Sequence, residues 1–77
     1  MTVDAPAADW TAAMLRLVAD MDAAQYARSV KFLEWHRTRT ESDWQAFEAA
    51  RTALQTLERA EAALLHAGPP IAAQEAP

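Results

Sequence analysis

The sequence predicts an all-α protein of one domain, and three observations carry that prediction. An uninterrupted helical pattern covers residues 43–67, and apolar residues also recur at helical spacing through the first half of the chain. The 77 residues include a single glycine. One glycine leaves few positions for the tight turns that join strands, so helices connected by short polar turns are the expected architecture.

The beginning of the chain predicts a disordered lead followed by a first helix. Residues 1–8 show no apolar periodicity and contain Pro6, whereas Asp9 is placed to cap a helix that begins at Trp10. Large apolar residues then recur at intervals of three and four, which predicts one buried stripe. Its members are Trp10, Met14, Leu17 and Met21.

The apolar pattern changes phase near residues 20–22. Continuing the first stripe leads to Gln25 and Arg28, whereas the next large apolar residues are Tyr26, Val30 and Leu33. Asp22 followed by Gln25 also resembles a helix-capping signature. Two interpretations stay open. We favour a break between two short helices; the alternative is one long helix with two differently directed apolar stripes.

A second helix is expected over residues 23–38, with apolar residues on two sides. Trp35 lies nearly opposite Tyr26 on such a helix, and no neighbour within the chain is evident for it. A helix that is apolar on two sides is either sandwiched or exposes one side to a partner. We therefore predict that Trp35, with Phe32, contacts another chain. The predicted interface residues are Phe32, Trp35, Arg28 and Arg39.

The longest helix is predicted over residues 43–67. Ser42 and Gln45 form a capping box at its start, and Gly68 with the prolines that follow ends it. Glu61 interrupts the apolar arc, where it either reaches water or meets an arginine such as Arg16 or Arg28. The predicted arc comprises Phe47, Ala50, Leu54, Leu57, Leu64 and Leu65, with Trp44, Ala46, Ala53 and Ala60 at its edges.

These elements predict one helical domain over residues 9–67 and a disordered, proline-rich tail over residues 68–77. The expected fold is a three-helix bundle in which two shorter helices pack on the long C-terminal helix. The alternative is a helical hairpin that dimerises into a four-helix arrangement through its alanine-rich side. Without cysteine no disulfide can support so small a core.

The residue types needed for common chemistries are missing or scattered. His36 and His66 fall on different predicted helices and no cysteine exists, so we expect no metal site. A nucleophile elbow and a glycine-rich phosphate loop are both absent, so we expect no catalytic residues, no cofactor, no small-molecule substrate and no enzymatic activity. No apolar run reaches the roughly 18 residues of a membrane span. Together with the lack of cysteine, this favours the cytoplasm.

The remaining features favour a non-enzymatic protein–protein interaction module. Such a protein would be a small accessory, adaptor or inhibitor subunit that binds a larger protein or a second copy of itself. The alternative is nucleic-acid binding by the basic segment 28–39, although the whole chain has a net charge of −4. The cations that would contact an anion or a nucleic acid are Arg28, Lys31, Arg37 and Arg39.

Overall fold

The structure is a computed structural model that describes the backbone of residues 4–68 and the side chains of residues 9–68. It contains two α-helices, α1 (Asp4–Thr38) and α2 (Glu41–Ala67), which pack side by side as an antiparallel hairpin. The indole of Trp10 donates a hydrogen bond of 2.9 Å to the carbonyl of Leu64, which joins the start of α1 to the end of α2. The all-α prediction is confirmed, but the described residues form two helices rather than three.

α1 is continuous through residues 20–22, where we favoured a break. The inner stripe does not stop at Met21: it continues through the half-buried residues Ala24, Lys31 and Trp35 at intervals that keep one side of the helix facing α2. The sequence pattern concealed this because Ala24 is small and Lys31 is charged. A lysine can cover apolar surface with its methylene chain while its ammonium group stays in water.

α1 also begins earlier than expected, at Asp4 instead of Trp10. Residues 4–8, assigned to a disordered lead, are therefore helical. Pro6 falls in the first turn, where its missing N–H would have had no partner within the helix. Residues 1–3 of the predicted lead lie outside the described residues.

Two residues connect the helices. Arg39 adopts a left-handed conformation with φ 54°, and its N–H donates to the carbonyl of Trp35 at 2.6 Å. Thr40 is extended and caps α2, because its hydroxyl accepts a hydrogen bond of 3.1 Å from the N–H of Asp43. The cap expected at Ser42 is therefore wrong by two residues, since Thr40 offers the same capping oxygen in a shorter connection.

The C-terminal end of α2 is as predicted. Gly68 caps the helix with φ 70°, a conformation that side chains disfavour, and its N–H donates to the carbonyl of Leu64 at 3.0 Å. The disordered tail predicted after it, residues 69–77, lies outside the described residues.

The predicted arc of α2 faces α1, with one exception. Leu54 is only 4% exposed and is the one buried apolar residue among the described residues. Four other members of the arc are half-buried, but Leu65 is largely exposed because it is rotated by about 100° from Leu64. The half-buried members are Phe47, Ala50, Leu57 and Leu64.

Glu61 lies half-buried within the same arc. Neither Arg16 nor Arg28 forms an ion pair with it. Within the described part of the chain, the ion pairs join neighbours on a single helix: Lys31 with Glu34 at 3.3 Å, and Glu48 with Arg51 at 3.0 Å. No salt bridge therefore links α1 to α2 in residues 9–68, and the helices are held together mainly by apolar packing, with hydrogen bonds from Trp10 to Leu64 and from Thr38 to Asp43.

The hairpin is a rod of 59 × 17 × 13 Å with a radius of gyration of 17.6 Å. A compact chain of this length would have a radius of gyration of roughly 11 Å. Two helices side by side can bury only the strip between them, which explains why Leu54 is the one buried apolar residue among residues 9–68.

Candidate interaction surface

Four aromatic rings pack together where the two helices meet at the turn. The centroid of Trp35 lies 4.9 Å from that of Trp44, and Phe32 lies 5.6 Å from Phe47. Trp44 and Phe47 are themselves 5.4 Å apart. Trp35 thus has a neighbour within its own chain, which the sequence analysis did not find. Antiparallel packing puts the end of α1 against the start of α2, so the two tryptophans meet.

Arg39 closes the outer side of this aromatic cluster. Its guanidinium carbon is 4.7 Å from the centroid of the Trp35 ring, a cation–π contact. Its Nε donates to the carbonyl of His36 at 3.1 Å. Arg39 and Trp35 therefore both take part in closing the hairpin. Contact of Trp35 and Phe32 with another chain stays a prediction, and Phe32, at 42% exposure, is the more accessible of the two.

The four cations proposed to contact an anion do not form one patch. Lys31 pairs with Glu34, and Arg39 lies on the Trp35 ring. Arg28 and Arg37 are nine residues apart on one helix, which places them about 180° from each other around its axis. The local surplus of positive charge is consequently spread around the end of α1.

A shallow groove of 410 Å³ runs between the helices beside the aromatic cluster. Two phenylalanine rings line it together with the side chains of Arg28 and Arg51, and the guanidinium group of Arg51 is paired with Glu48. The lining residues are Arg28, Ser29, Phe32, Leu33, Phe47 and Arg51.

A second apolar side of α1 is turned away from the packed strip between the helices, although Leu33 on it also lines the groove. Tyr26 is 74% exposed, Leu15 is 67% exposed and Leu33 is 63% exposed. At 100° per residue these three side chains lie within about 20° of one another around the helix. Together with Ala19, Asp22 and Val30, which lie on the same side, we call them the outer face of α1.

The outer face reverses an assignment made from the sequence. Trp35, and not Tyr26 on the opposite side of the helix, was expected to lack a neighbour within the chain, but Trp35 packs on Trp44 whereas Tyr26 is 74% exposed. The second half of α1 is apolar on two sides, as the sequence analysis expected. A signal for the correct choice was present, because Trp35 follows Met21 by two heptads and therefore shares its side of the helix.

A polar network organises the turn. The hydroxyl of Thr38 donates to a carboxylate oxygen of Asp43, which holds the pKa of that carboxyl below its usual value. Thr40 and the positive charges of Arg37 and Lys31 lower the pKa of Asp43 further. An ionised Asp43 in the first turn of α2 is also favoured by the helix dipole.

Two further kinds of site, a metal-binding cluster and a membrane-spanning helix, are absent from the described residues. Residues 9–68 contain no group of three or more histidine, cysteine, aspartate or glutamate side chains that could hold a metal ion. His36 stacks on Phe32 with centroids 6.0 Å apart, and His66 lies in the last turn of α2. Neither α1 nor α2, as described, has a stretch long and apolar enough to cross a membrane.

A function has to be inferred from the chemistry of these surfaces. Comparison with protein-family models, with curated proteins and with solved structures finds no match to this chain.

Proposed function

We propose that this protein is a non-enzymatic protein–protein interaction module that binds through the outer face of α1. The observation that carries the proposal is the row formed by Leu15, Tyr26 and Leu33, three large apolar side chains aligned on one side and each more than 60% exposed. Single exposed apolar residues are common on soluble proteins, but an aligned row is what a helix uses to pack on another protein.

The free energy available from burying the outer face of α1 favours association. Burying one leucine or a side chain of similar size contributes about 1.5–3 kcal/mol. Three such side chains on one helix face can therefore supply several kcal/mol toward binding, less the cost of holding two molecules together.

The thin core supports the same proposal. Leu54 is the one apolar residue that is buried between α1 and α2 in the described part of the chain. Helical proteins with so little core commonly gain stability from oligomerisation or from a partner. A protein that binds only the folded hairpin would stabilise it by mass action. The module would then act as a small accessory, adaptor or inhibitor subunit.

Nucleic-acid binding through residues 28–39 has less support. The cations in that segment point in different directions, and Lys31 and Arg39 already contact Glu34 and Trp35. Binding to phosphates would weaken steeply with added salt, whereas binding through the outer face of α1 would change little. A salt series on any complex formed by the protein distinguishes the two functions.

Photo-crosslinking tests the proposed function. A benzophenone amino acid replaces Tyr26 in the full chain expressed in its native host. The control carries the same group at Gln55, an exposed position on α2. We expect a defined adduct of one protein, or of a second copy, from position 26 and none from position 55. Equal labelling at both positions, or no adduct from position 26, would contradict the proposal.

A further inference from the structure

We propose that the partner of the outer face of α1 is a second copy of this chain, packed antiparallel on it across a two-fold axis. This inference rests on the proposed function and names its partner. Two arguments select a second copy: the charges that border the outer face, and the fit of the outer face to a second copy of itself that runs in the opposite direction.

Charge along α1 is divided between its two halves. Residues 9–22 carry three carboxylates and one arginine, whereas residues 28–37 carry three cations and one carboxylate. Lys31 lies on the inner stripe and Arg28 lines the groove against α2, so the charges that border the outer face are Arg16, Asp22, Glu34 and Arg37. Two antiparallel copies place Arg16 of each beside Glu34 of the other, whereas a parallel pair leaves these opposite charges five turns apart. The charged residues are Asp9, Arg16, Asp20 and Asp22, then Arg28, Lys31, Glu34 and Arg37.

The apolar residues of the outer face match their own reversed order. Leu15 and Leu33 are five turns apart and point in the same direction. When Leu15 lies against Leu33 of the second copy, the two-fold axis passes beside residue 24. Ala19 then lies near Val30 of the second copy, a small side chain opposite a larger one. An isologous contact requires this self-complementarity, and each of these pairs occurs twice.

Polar groups fit the same register. Asp22 then lies opposite Tyr26 of the second copy, so that the tyrosine hydroxyl can donate to the carboxylate. Arg16 and Glu34 are likewise five turns apart and lie on the same flank of the outer face. In an antiparallel pair the same flanks meet, so Arg16 lies beside Glu34 of the second copy. The Glu34 carboxylate already accepts from Lys31 at 3.3 Å and has a second oxygen for this contact.

The length of the face sets the strength of the dimer. From Leu15 to Leu33 the face extends about 27 Å along α1. A contact between two single helices of that length buries less than the roughly 1,200 Å² of a stable interface. The dimer is therefore weak and reversible, and the charged pairs on its flanks contribute to both its direction and its strength.

Charge reversal combined with sedimentation equilibrium tests the arrangement on the full chain. We expect the natural sequence to dimerise with rising concentration at low salt. Arg16→Glu and Glu34→Arg should each raise the dissociation constant about tenfold, because both symmetry-related pairs become repulsive. The double variant exchanges the charges and should return to within about threefold of the natural sequence. Arg59→Glu, at an exposed position on α2, makes the same change in net charge as Arg16→Glu and should have little effect.

Failure of this test has two forms. A monomer up to millimolar concentration overturns the self-association. A dimer that ignores the single reversals, or that the double variant does not restore, overturns the antiparallel register. Circular dichroism of each variant establishes whether the helices are intact. If a charge-reversal variant has lost its helices, the cysteine-pairing experiment tests the arrangement instead.

Cysteine pairing tests the direction independently, because the natural chain has no cysteine. Leu15→Cys and Leu33→Cys each replace a largely exposed side chain. Under mild oxidation a mixture of the two variants should give the mixed disulfide. Leu15→Cys alone should give almost none, since the two sulfurs would be about 27 Å apart. Rapid disulfide formation by Leu15→Cys alone would indicate a parallel pair and overturn the proposal.

The proposed function and this inference fail in different ways. If the chain is monomeric but a different protein crosslinks at position 26, the second copy is wrong and the interaction module stands. If neither self-association nor a position-26 adduct is found, both are wrong.

Discussion

Leu54 is the residue on which the stability of the hairpin depends most directly. It is 4% exposed, and its neighbours in the α2 arc are only half-buried. Leu54→Ala should lower the free energy of unfolding by about 2–5 kcal/mol, because it removes buried methyl groups and leaves a cavity. Leu65→Ala, on the same helix but exposed, should change it by no more than about 0.5 kcal/mol. Equal urea midpoints for the two variants would mean that Leu54 is not the core.

Asp43 links the stability of the turn to pH. Its pKa is lowered in the folded chain, mainly by the hydrogen bond from Thr38. The stabilisation is therefore complete above the unfolded-state pKa of about 3.9 and is lost as the pH falls from that value through the lower folded-state pKa. Asp43→Asn should destabilise the hairpin at pH 7 and remove part of the stability loss on acidification.

Thermal melts between pH 7 and pH 2.5 measure this effect. Glu58→Gln, which neutralises an exposed carboxylate elsewhere on α2, serves as the control and should keep the acid response of the natural sequence. If Asp43→Asn and Glu58→Gln show the same pH dependence, the hydrogen bond from Thr38 does not stabilise the folded turn.

The connection between the helices combines strain with a favourable contact. Arg39 has φ 54°, which costs a non-glycine residue about 1–2 kcal/mol, yet its guanidinium stacks on Trp35. Arg39→Ala loses the stacking and keeps the strain, whereas Arg39→Gly loses the stacking and relieves the strain. The glycine variant should therefore be about 0.5–1 kcal/mol more stable than the alanine variant by denaturant unfolding. The reverse order would show that the turn is not left-handed at Arg39.

The continuity of α1 can be tested at Ala23. If a break at residues 20–22 made Asp22 a cap, Ala23 would be the first residue of a new helix, where proline is well tolerated. In one continuous helix, Ala23→Pro removes a hydrogen bond and clashes with the preceding turn, so it should cost about 3 kcal/mol or more. Ala23 is exposed, so packing does not complicate the result. Unchanged helicity and melting temperature would restore the three-helix interpretation.

At the largest scale, residues 4–68 form a two-helix rod in which α1 has two unlike apolar sides. The inner side of α1 packs on α2 and the outer side is open, so one determines folding and the other is available for association. A third helix would have covered the outer face, but the described chain supplies none. This arrangement makes the roles of Trp35 and Tyr26 separable by mutation.

Trp35→Ala should therefore lower the stability of the isolated hairpin, whereas Tyr26→Ala should lower its tendency to associate. Trp35 is half-buried against Trp44, so its loss should destabilise the isolated hairpin by about 2 kcal/mol, roughly half the value for a fully buried tryptophan. Tyr26 is 74% exposed, so its loss should leave the melting temperature of the dilute protein unchanged and weaken association instead. If Trp35→Ala folds normally but fails to associate, the interface lies at Trp35 and Phe32, as the sequence analysis predicted.

The local features of the chain were determined by the sequence alone. The helical pattern of residues 43–67, the capping glycine at position 68 and the arc that contains Leu54 could be predicted because each depends on nearby residues: periodicity, capping chemistry and helix propensity. The connection was less predictable, since Thr40 and Ser42 both offer a capping hydroxyl. Only the length of the turn decided between them.

Only the tertiary structure decided which side of α1 faces α2. Periodicity shows that Trp35 shares a side of α1 with Met21, but it does not by itself determine which of two apolar sides packs on α2. The choice was made by the other helix: antiparallel docking places Trp44 against Trp35 and Phe47 against Phe32, a pairing between residues on different helices. Those contacts direct Trp35 inward and leave Tyr26 and Leu33 on the surface, and so they also determine where a partner can bind.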